Sequence, residues 1–302
     1  MTGRTIAALD IGGTHVSAAM VDVQSWRLAS PVTRASVRAD ASAERLLDTI
    51  AEAASIMSPS SFLYGVGIPD PFDYQKGVAL YDGVGKFDSL HGTDIRAELA
   101  RRLVQDAQFV FLNDADAFAI GEWKCGAAVG SARCVGITLG TGVGSGWIVD
   151  GRPVVSGPGV PPGGRIHNLT IHGQPLEDIF SRRAILRAYR RADGRRDVDV
   201  AEIARAARDG DNTATQVLSS ALRGLGSAAG PAIKAFRPDV VVIGGSMARS
   251  WDLFEPWFRE GAEAGPVPHL TIANDEPHAA LIGAAHYASA ISSRSRTAHH
   301  AW

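Results

Sequence analysis

TIAALDIGGTHVSAAMVD, residues 5–22, has a layout that occurs a second time at VGITLGTGVGSGWIVDG, residues 135–151. Each copy has an apolar run of strand length, a glycine–threonine turn, a second apolar run and an aspartate that closes it. A single copy would indicate only a hairpin, because any hairpin turn can use glycine for its backbone freedom. Two copies, about 130 residues apart, indicate a duplicated fold with one copy in each half of the chain.

The segments around these hairpins alternate between strand and helix patterns, which is typical of an α/β protein. Short apolar runs predict further strands, which lie at residues 64–68, 109–112 and 240–243. Apolar residues at helical spacing predict helices, which lie at residues 41–57, 94–104, 175–191 and 199–235. Asp94 stands at the start of its segment, where an aspartate side chain caps a helix.

The composition excludes several classes of protein. The chain has 302 residues, of which 45% are hydrophobic and 21% charged, so it is globular rather than disordered. A net charge of −2 gives no electrostatic case for binding nucleic acid or an anionic membrane. The start of the chain has no signal-peptide pattern and no apolar run reaches membrane-spanning length, so we expect a cytoplasmic protein. Cys125 and Cys134 are too few for a disulfide framework and lack the spacing of a zinc site.

The two glycine turns suggest phosphate binding. A bare backbone lets a phosphate approach several N–H groups, and the hydroxyls of Thr14 and Thr141 add a donor at each turn. Competing nucleotide motifs are absent: there is no P-loop, no G-x-G-x-x-G followed by a helix, and no protein-kinase signature. If both turns bind phosphate, they would hold a nucleotide from both sides. The alternative is that both are ordinary hairpin turns without a ligand.

Six motifs in order resemble those of the ROK family of sugar kinases, in the actin/hexokinase-like superfamily, and together they span nearly the whole chain. They are LDIGGT (9–14), GIPDP (67–71), LNDADA (112–117), LGTGVGSG (139–146), PDVVVIGGSMA (238–248) and LIGAA (281–285). In the family these are the first phosphate motif, a G-x-P-G-P turn, the catalytic strand end, the second phosphate motif, the adenosine motif and the closing helix.

The resemblance implies a two-domain fold of actin/hexokinase and ribonuclease H type with a central cleft. We expect a small N-terminal domain over residues 1–113, a larger C-terminal domain over 114–280, a closing helix over 281–292 that packs on the first domain, and a flexible tail over 293–302. It also implies that the γ-phosphate of MgATP passes to the 6-hydroxyl of a hexose or amino-hexose, either glucose-like or an aminoglucose such as kanosamine or glucosamine. ATP and Mg²⁺ are the expected cofactors, and a homodimer is the expected assembly.

A sugar-sensing regulator without catalysis is the alternative, because the family also contains repressors. Those repressors carry a DNA-reading helix-turn-helix ahead of the first phosphate motif. Here only nine residues precede Asp10, which favours the kinase branch.

The resemblance assigns roles to individual residues. Asp114, at the end of a buried strand, becomes the base that accepts the proton of the sugar hydroxyl, although a helix-capping aspartate would have the same position. Asn113 would bind an adjacent hydroxyl, and Asp10 would hold Mg²⁺ through water. The residues expected at ATP are Asp10, Gly12, Gly13, Thr14, Gly140, Thr141, Gly142, Gly244, Gly245 and Ser246.

The second half of the sugar site departs from the family pattern, which is E-x-G-H, a cysteine-rich loop and C-L-E. His167 and Glu177 match the histidine and the second glutamate, but Gly164 replaces the first glutamate and the zinc cysteines are missing. We therefore predict no structural zinc. Asp70 and Asp82 add acid near the expected sugar, and a carboxylate there would pair with the ammonium of an amino sugar. Alternatively, Asp70 only shapes the turn between two prolines.

Overall fold

The computed structural model describes residues 4–55, 57, 62–194, 197–262, 269–274 and 276–299. The chain divides into two compact units, each with its own sheet and core. The first unit is residues 1–126 together with 275–302, and the second is residues 127–274.

The first unit contains a six-stranded sheet in the order β3-β2-β1-β5-β8, with β4 paired to β2 as well. Its strands are β1 (Thr5–Ile11), β2 (His15–Asp22), β3 (Arg27–Leu28), β4 (Thr33–Ser36), β5 (Leu63–Ile68) and β8 (Gln108–Asn113), beside a ribbon of β6 (Phe72–Asp73) and β7 (Val78–Ala79). Its first helices are α1 (Ala43–Ser55), α2 (Ile95–Arg102) and α3 (Asp114–Cys125).

The second unit contains a five-stranded sheet in the order β11-β10-β9-β14-β15. The strands of this unit are β9 (Arg133–Leu139), β10 (Val143–Val149), β11 (Arg152–Pro153), β12 (Thr170–Ile171), β13 (Gln174–Pro175), β14 (Val240–Gly244) and β15 (His269–Ile272). Its helices are α4 (Leu176–Ile179), α5 (Arg182–Asp193), α6 (Val200–Arg208), α7 (Asn212–Phe236) and α8 (Trp251–Gly261).

The two sheets share one connectivity. In each, an antiparallel hairpin comes first, β1 with β2 and β9 with β10. A parallel strand then pairs with the first strand of the hairpin, β5 with β1 and β14 with β9. A last parallel strand pairs with that one, β8 with β5 and β15 with β14. The predicted duplication of an α/β unit is therefore confirmed at the level of strand order.

The central strand β1 is buried on both faces, which explains its continuous apolar run. Ala7 and Leu9 point to the cluster that contains the apolar face of α1. Ile6 and Ala8 point to the opposite cluster, which contains residues of α9 (Glu276–His299). Because successive side chains alternate between the faces of a strand, both faces need apolar residues here.

Helix α3 belongs to the first unit because it packs directly on α9. A Cβ at Gly283 would collide with the backbone of Ala117, and a Cβ at Gly121 would collide with the backbone of Ala279, so two glycines allow the close approach. The structure consequently begins the second unit at Ala127, one helix later than the boundary expected from the sequence. Helix α9 runs to His299, so the expected flexible tail, 293–302, is helical as far as it is described.

Capping residues divide the two long predicted helices. Ser181 caps α5 and separates it from α4, and Asp211 caps α7 after a break that follows α6. Asp94 is the N-cap of α2, as predicted, and accepts a hydrogen bond from Ala97 N at 2.9 Å. Within the described ranges, no helix combines the length and apolar character that crossing a bilayer requires.

Candidate functional site

Two carboxylates meet where the parallel strands of the first unit end. Asp10 on β1 is in register with Gly67 on β5, and Asp114 is the first residue of α3, directly after β8. A Cβ built on Gly67 would lie 3.7 Å from Asp10 Oδ1 and 3.7 Å from Asp114 Cα. The structure thus brings together the predicted base and the predicted Mg²⁺ residue, at the edge of the sheet where α/β proteins place their ligands.

The Asp10 carboxyl has an unusual protonation equilibrium. Its pKa is raised from 3.8 to about 7, first by burial, then by the neighbouring Asp114 carboxylate, with Arg34 acting in the opposite direction. Arg34 Nε lies 3.4 Å from Ser17 Oγ, and Ser17 is the β2 partner of Asp10 in the hairpin register. Two close carboxylates of this kind are oxygen donors that fit a divalent cation such as Mg²⁺.

Asn113 links the start of α3 to the Pro69–Pro71 turn. Its Oδ1 accepts from Ala115 N at 3.0 Å and from Asp116 N at 3.3 Å, which makes Asn113 the N-cap of α3. Its Nδ2 donates to Asp70 Oδ2 at 2.9 Å and to the Tyr74 hydroxyl at 3.3 Å. The amide is therefore held in one orientation, and the predicted sugar-binding residues Asp70 and Asn113 contact each other.

Two tyrosines support the turn that carries Asp70. The Tyr74 hydroxyl is 2.9 Å from Asp70 Oδ1, and the buried Tyr81 hydroxyl donates to Pro69 O at 2.8 Å. Burial raises the pKa of Tyr81, and the carboxylates of Asp114 and Asp70 raise it further, so both acids lie near its ring. Asp82 follows Tyr81 in the chain but is exposed on the next loop, and the structure does not bring it into this network.

The glycine turn between β1 and β2 lies in the same unit. Gly12 N donates to His15 O at 2.8 Å, and a Cβ on Gly13 would meet nothing within 4 Å. Thr14 and His15 are exposed, with Thr14 Oγ1 and His15 Nδ1 2.9 Å apart. The turn therefore presents accessible backbone, as a phosphate site requires.

In the second unit, the remaining predicted ATP residues gather at one edge of the sheet. Gly140 N donates to Gly142 O at 3.0 Å, which closes the turn, and Thr141 is exposed at its tip. Gly244, at the end of β14, pairs with Thr138 on β9. Gly245 has φ +88°, and a Cβ there would collide with the backbone of Leu139, so only glycine lets the two strand ends approach. The exposed Ser246 comes next in the chain.

The predicted sugar residues of this unit lie on the loop after β11 and on α4. The Glu177 carboxylate, on α4, occupies the space into which a side chain at Gly142 would project. His167 is half-buried in a short 3-10 turn, Ile166–Asn168. Gly164, which replaces the family glutamate, has φ +76°, a backbone conformation that a glutamate would adopt only with strain.

Neither cysteine lies in the loop where the resemblance places zinc ligands. Cys125 is exposed at the end of α3, and Cys134 is buried on β9. Over the residues that the structure describes, no group of three or more histidine, cysteine, aspartate and glutamate side chains could hold a metal ion.

Sequence reasoning missed four polar residues that shape these sites: Arg34, Tyr74, Tyr81 and Ser145. Arg34 and the two tyrosines lie in segments with no recognisable motif, so no local signal marks them. Ser145 does carry a signal, because it interrupts the glycines of GTGVGSG (140–146), but a phosphate turn accounts for that pattern without a structural role for the serine.

Comparison with known proteins decides the family. The family model described as ROK family matches residues 6–291. The chain belongs to the ROK family. Glucokinase from Thermotoga maritima is 29% identical over 278 residues, which is 83% of this chain and 85% of that protein. N-acetyl-D-glucosamine kinase from Escherichia coli O6:H1 is 32% identical over 148 residues, and this match spans about half of each protein, 48% and 46%.

Solved structures of ROK proteins share the fold. A ROK hexokinase from Thermus thermophilus is 27% identical, with a TM-score of 0.73 over 93% of this chain and 96% of that one. A ROK family glucokinase from Streptomyces griseus, in complex with glucose and AMPPNP, is 24% identical, with a TM-score of 0.74 over 94% of this chain and 98% of that one. The predicted family, the actin/hexokinase-like fold and the enzyme class, a phosphotransferase of the ROK family, are thereby confirmed.

Proposed function

We propose that this ROK protein is an ATP-dependent sugar kinase that phosphorylates the 6-hydroxyl of a hexose or amino-hexose. The observation that carries the proposal is the position of Asp114. Asp114 is the first residue of α3, at the end of a buried parallel strand, close to Asp10 and directly after Asn113, which donates to Asp70. A base in this position can accept a proton from a bound hydroxyl.

The residues divide the work of phosphoryl transfer. Asp114 accepts the proton of the attacking hydroxyl, and Asp10 is the residue that would hold Mg²⁺ through water. Mg²⁺, when bound, supplies positive charge to the phosphates of ATP. The turns Gly12–Thr14 and Gly140–Gly142, with Gly244–Ser246, offer backbone N–H groups and hydroxyls to the nucleotide.

Asp70, His167 and Glu177 are the proposed contacts to the sugar besides Asp114. Asp70 already accepts hydrogen bonds from Asn113 and Tyr74, one on each oxygen. A carboxylate has further lone pairs, so Asp70 can still pair with the ammonium of an amino sugar. Asn113 holds Asp70 through its Nδ2 while its Oδ1 caps α3, so its contribution to sugar binding is made through that carboxylate.

An ADP-release assay over a panel of hexoses and amino-hexoses tests the activity and its acceptor. We expect ADP release with at least one sugar that has a free 6-hydroxyl, and none with its 6-deoxy analogue, because that analogue lacks the attacking oxygen. Equal kcat/KM for an amino sugar and for glucose would show that the enzyme does not select its substrate by an ammonium group. Sugar binding without ADP release for any member of the panel would favour the regulator instead.

The Gly142→Ala substitution is expected to raise the KM for sugar by about tenfold, the effect of losing roughly one good hydrogen bond. The added methyl displaces the Glu177 carboxylate, whose flexible side chain moves aside, so the loss of stability is small. Initial rates at saturating MgATP and varied sugar measure the effect.

Gly140→Ala is the matched control, because a Cβ at Gly140 meets nothing within 4 Å in the same turn. Its KM for sugar should stay close to that of the wild-type protein. A Gly142→Ala protein with an unchanged KM for sugar would remove Glu177 from the sugar site.

We also propose that the protein forms a homodimer, as the family resemblance implies, with a sugar as its small-molecule partner. Size-exclusion chromatography coupled to light scattering tests the assembly. A mass near 31.8 kDa at micromolar concentration would show a monomer and would contradict this proposal.

A further inference from the structure

We propose that Ser145 is a positioning residue for His167: its hydroxyl fastens the segment before His167 to strand β10. The role of His167 in sugar binding rests on the proposed sugar kinase activity. The fastening itself is a property of the fold and can be measured without any substrate.

The hydrogen bonds of the Ser145 hydroxyl carry the inference. Ser145 is fully buried, and its Oγ donates to Gly164 O at 2.9 Å. The same oxygen accepts from Ile166 N at 2.9 Å and from Trp147 Nε1 at 3.1 Å. One donated and two accepted hydrogen bonds use the full capacity of a serine hydroxyl. The side chain is therefore committed to structure and is not available to a phosphate.

The peptide groups fastened by Ser145 come immediately before His167. Gly164 O and Ile166 N belong to residues three and one positions ahead of the histidine, across a sequence separation of about 20 residues from Ser145. The Arg165 guanidinium also reaches the strand, where Nη1 donates to Ser145 O at 3.4 Å. Ser145 thus holds the backbone of Gly164 and Ile166 and the side chain of Arg165, three consecutive residues, against β10.

Packing also holds the residues before His167 in place, but the His167 side chain lies at the edge of the packed region. The Ile166 side chain is fully buried and Arg165 is 8% exposed, whereas His167 is only half-buried. The bonds made by Asn168 N and Leu169 N go to Arg165 O and Ile166 O, within the same turn. The direction of the His167 side chain therefore depends on the peptide that Ser145 holds one residue earlier.

Removing the hydroxyl leaves three polar groups without their partner in a buried place. In Ser145→Ala the carbonyl of Gly164, the amide of Ile166 and the indole N–H of Trp147 must find water or other partners. We expect the Gly164–Asn168 segment to separate from β10 and expose the Ile166 amide. If His167 contacts the sugar, the KM for sugar rises by about tenfold, while the KM for ATP changes little.

Two measurements on Ser145→Ala test the proposal. The first is hydrogen exchange of the Ile166 amide, which we expect to become at least about tenfold faster. The second is the pair of KM values, in the wild-type background and in a His167→Ala background. If Ser145 acts through His167, Ser145→Ala raises the KM for sugar in the first background and adds little in the second.

Ser219→Ala is the matched control. Ser219 is also buried in the second unit, but its hydroxyl donates to Gln216 O and accepts from Arg223 Nη1, both within α7. It should leave both the exchange at Ile166 and the KM for sugar unchanged. If Ser145→Ala does not fold, Ser145→Cys, with a weaker donor of similar size, should show the same changes at smaller amplitude.

The outcomes separate the inference from the proposed function. Unchanged hydrogen exchange of the Ile166 amide in the Ser145 variants would show that Ser145 does not hold the segment, and would overturn the inference. Two results would show that Ser145 does not act through His167. One is faster exchange in Ser145→Ala with an unchanged KM for sugar. The other is a rise in the KM for sugar that is as large in the His167→Ala background as in the wild-type background. If the wild-type protein releases no ADP with any sugar, the kinase proposal fails, whereas the exchange measurement still decides whether Ser145 holds the segment.

Discussion

Replacing Asp114 by asparagine should lower kcat by about 10²–10⁴, the range typical for loss of a general base. Asparagine has nearly the same shape, so α3 and the Asp70–Asn113 pair should keep their geometry. It cannot accept a proton, however, so the attacking hydroxyl would lose it to solvent during phosphoryl transfer. The measurement is ADP release at saturating MgATP and sugar, with the affinity for sugar determined separately by calorimetry.

The comparison for this variant is Asp94→Asn. Asp94 is likewise an acid at a helix start in the first unit, where it caps α2 through the bond from Ala97 N. Asparagine caps a helix about as well as aspartate, so this variant should retain nearly full activity. If Asp114→Asn also kept more than about a tenth of the wild-type kcat, Asp114 would no longer qualify as the base.

Asp114 has a second measurable effect, on its neighbour. Its carboxylate is one of the causes that raise the pKa of Asp10. In Asp114→Asn that charge is gone, so the pKa of Asp10 should fall from about 7 towards its ordinary value, though burial still holds it up. A pH titration of the Asp10 carboxyl by NMR would therefore show whether the two acids interact as their proximity to Gly67 indicates.

The parts of the fold that sequence could predict are those encoded by local patterns. The strand and turn layout of residues 5–22 and its second occurrence at 135–151 depend on alternation and glycine, which act between near neighbours. The position of Asp114 follows from the same logic, because a polar residue directly after an apolar run marks the end of a buried strand. These patterns were sufficient for the duplicated hairpin and for the position of Asp114 at a strand end, whereas its role as a base was implied by the family resemblance.

The contacts that sequence could not predict join residues far apart in the chain. Asn113 and Asp70 are 43 positions apart, and Ser145 and Ile166 are 21 apart. Nothing in either local sequence specifies the other partner, because the pairing arises only when two segments pack on the same sheet. The predicted end of the first unit lies one helix before the observed end for the same reason, because α3 and α9 pack through glycines about 160 positions apart.

Asp10→Asn is expected to abolish most activity and yet to stabilise the protein at alkaline pH in the absence of divalent cations. The folded-state pKa of Asp10, about 7, is above its ordinary value of 3.8. Between these values the folded protein binds more protons than the unfolded chain, so stability falls as the pH rises through this window. At about pH 8 the ionised carboxylate therefore destabilises the fold, and asparagine removes that penalty.

The size of the effect follows from the shift in pKa. A tenfold change in the acid dissociation constant corresponds to about 1.4 kcal/mol, so the difference between a pKa of 3.8 and one of about 7 gives at most about 4 kcal/mol. Partial exposure of Asp10 to water reduces this value. Denaturant titrations of both proteins between about pH 4 and 8 measure the difference. The variant should gain stability over the wild-type protein as the pH rises, and the two should converge near pH 4.

Asp22→Asn provides the control of opposite sign. Asp22 closes the same hairpin, and the backbone N–H and hydroxyl of Ser25 hold its pKa below the ordinary value. Its carboxylate stabilises the fold at neutral pH, and this contribution disappears as the pH falls. Asp22→Asn should therefore weaken the protein at neutral pH, whereas Asp10→Asn strengthens it.

Addition of Mg²⁺ at pH 8 should stabilise the wild-type protein more than Asp10→Asn. A bound cation offsets the cost of burying the ionised Asp10 carboxylate, and the asparagine variant has no such cost. Equal stabilisation of the two proteins by Mg²⁺ would contradict Asp10 as the residue that holds the metal.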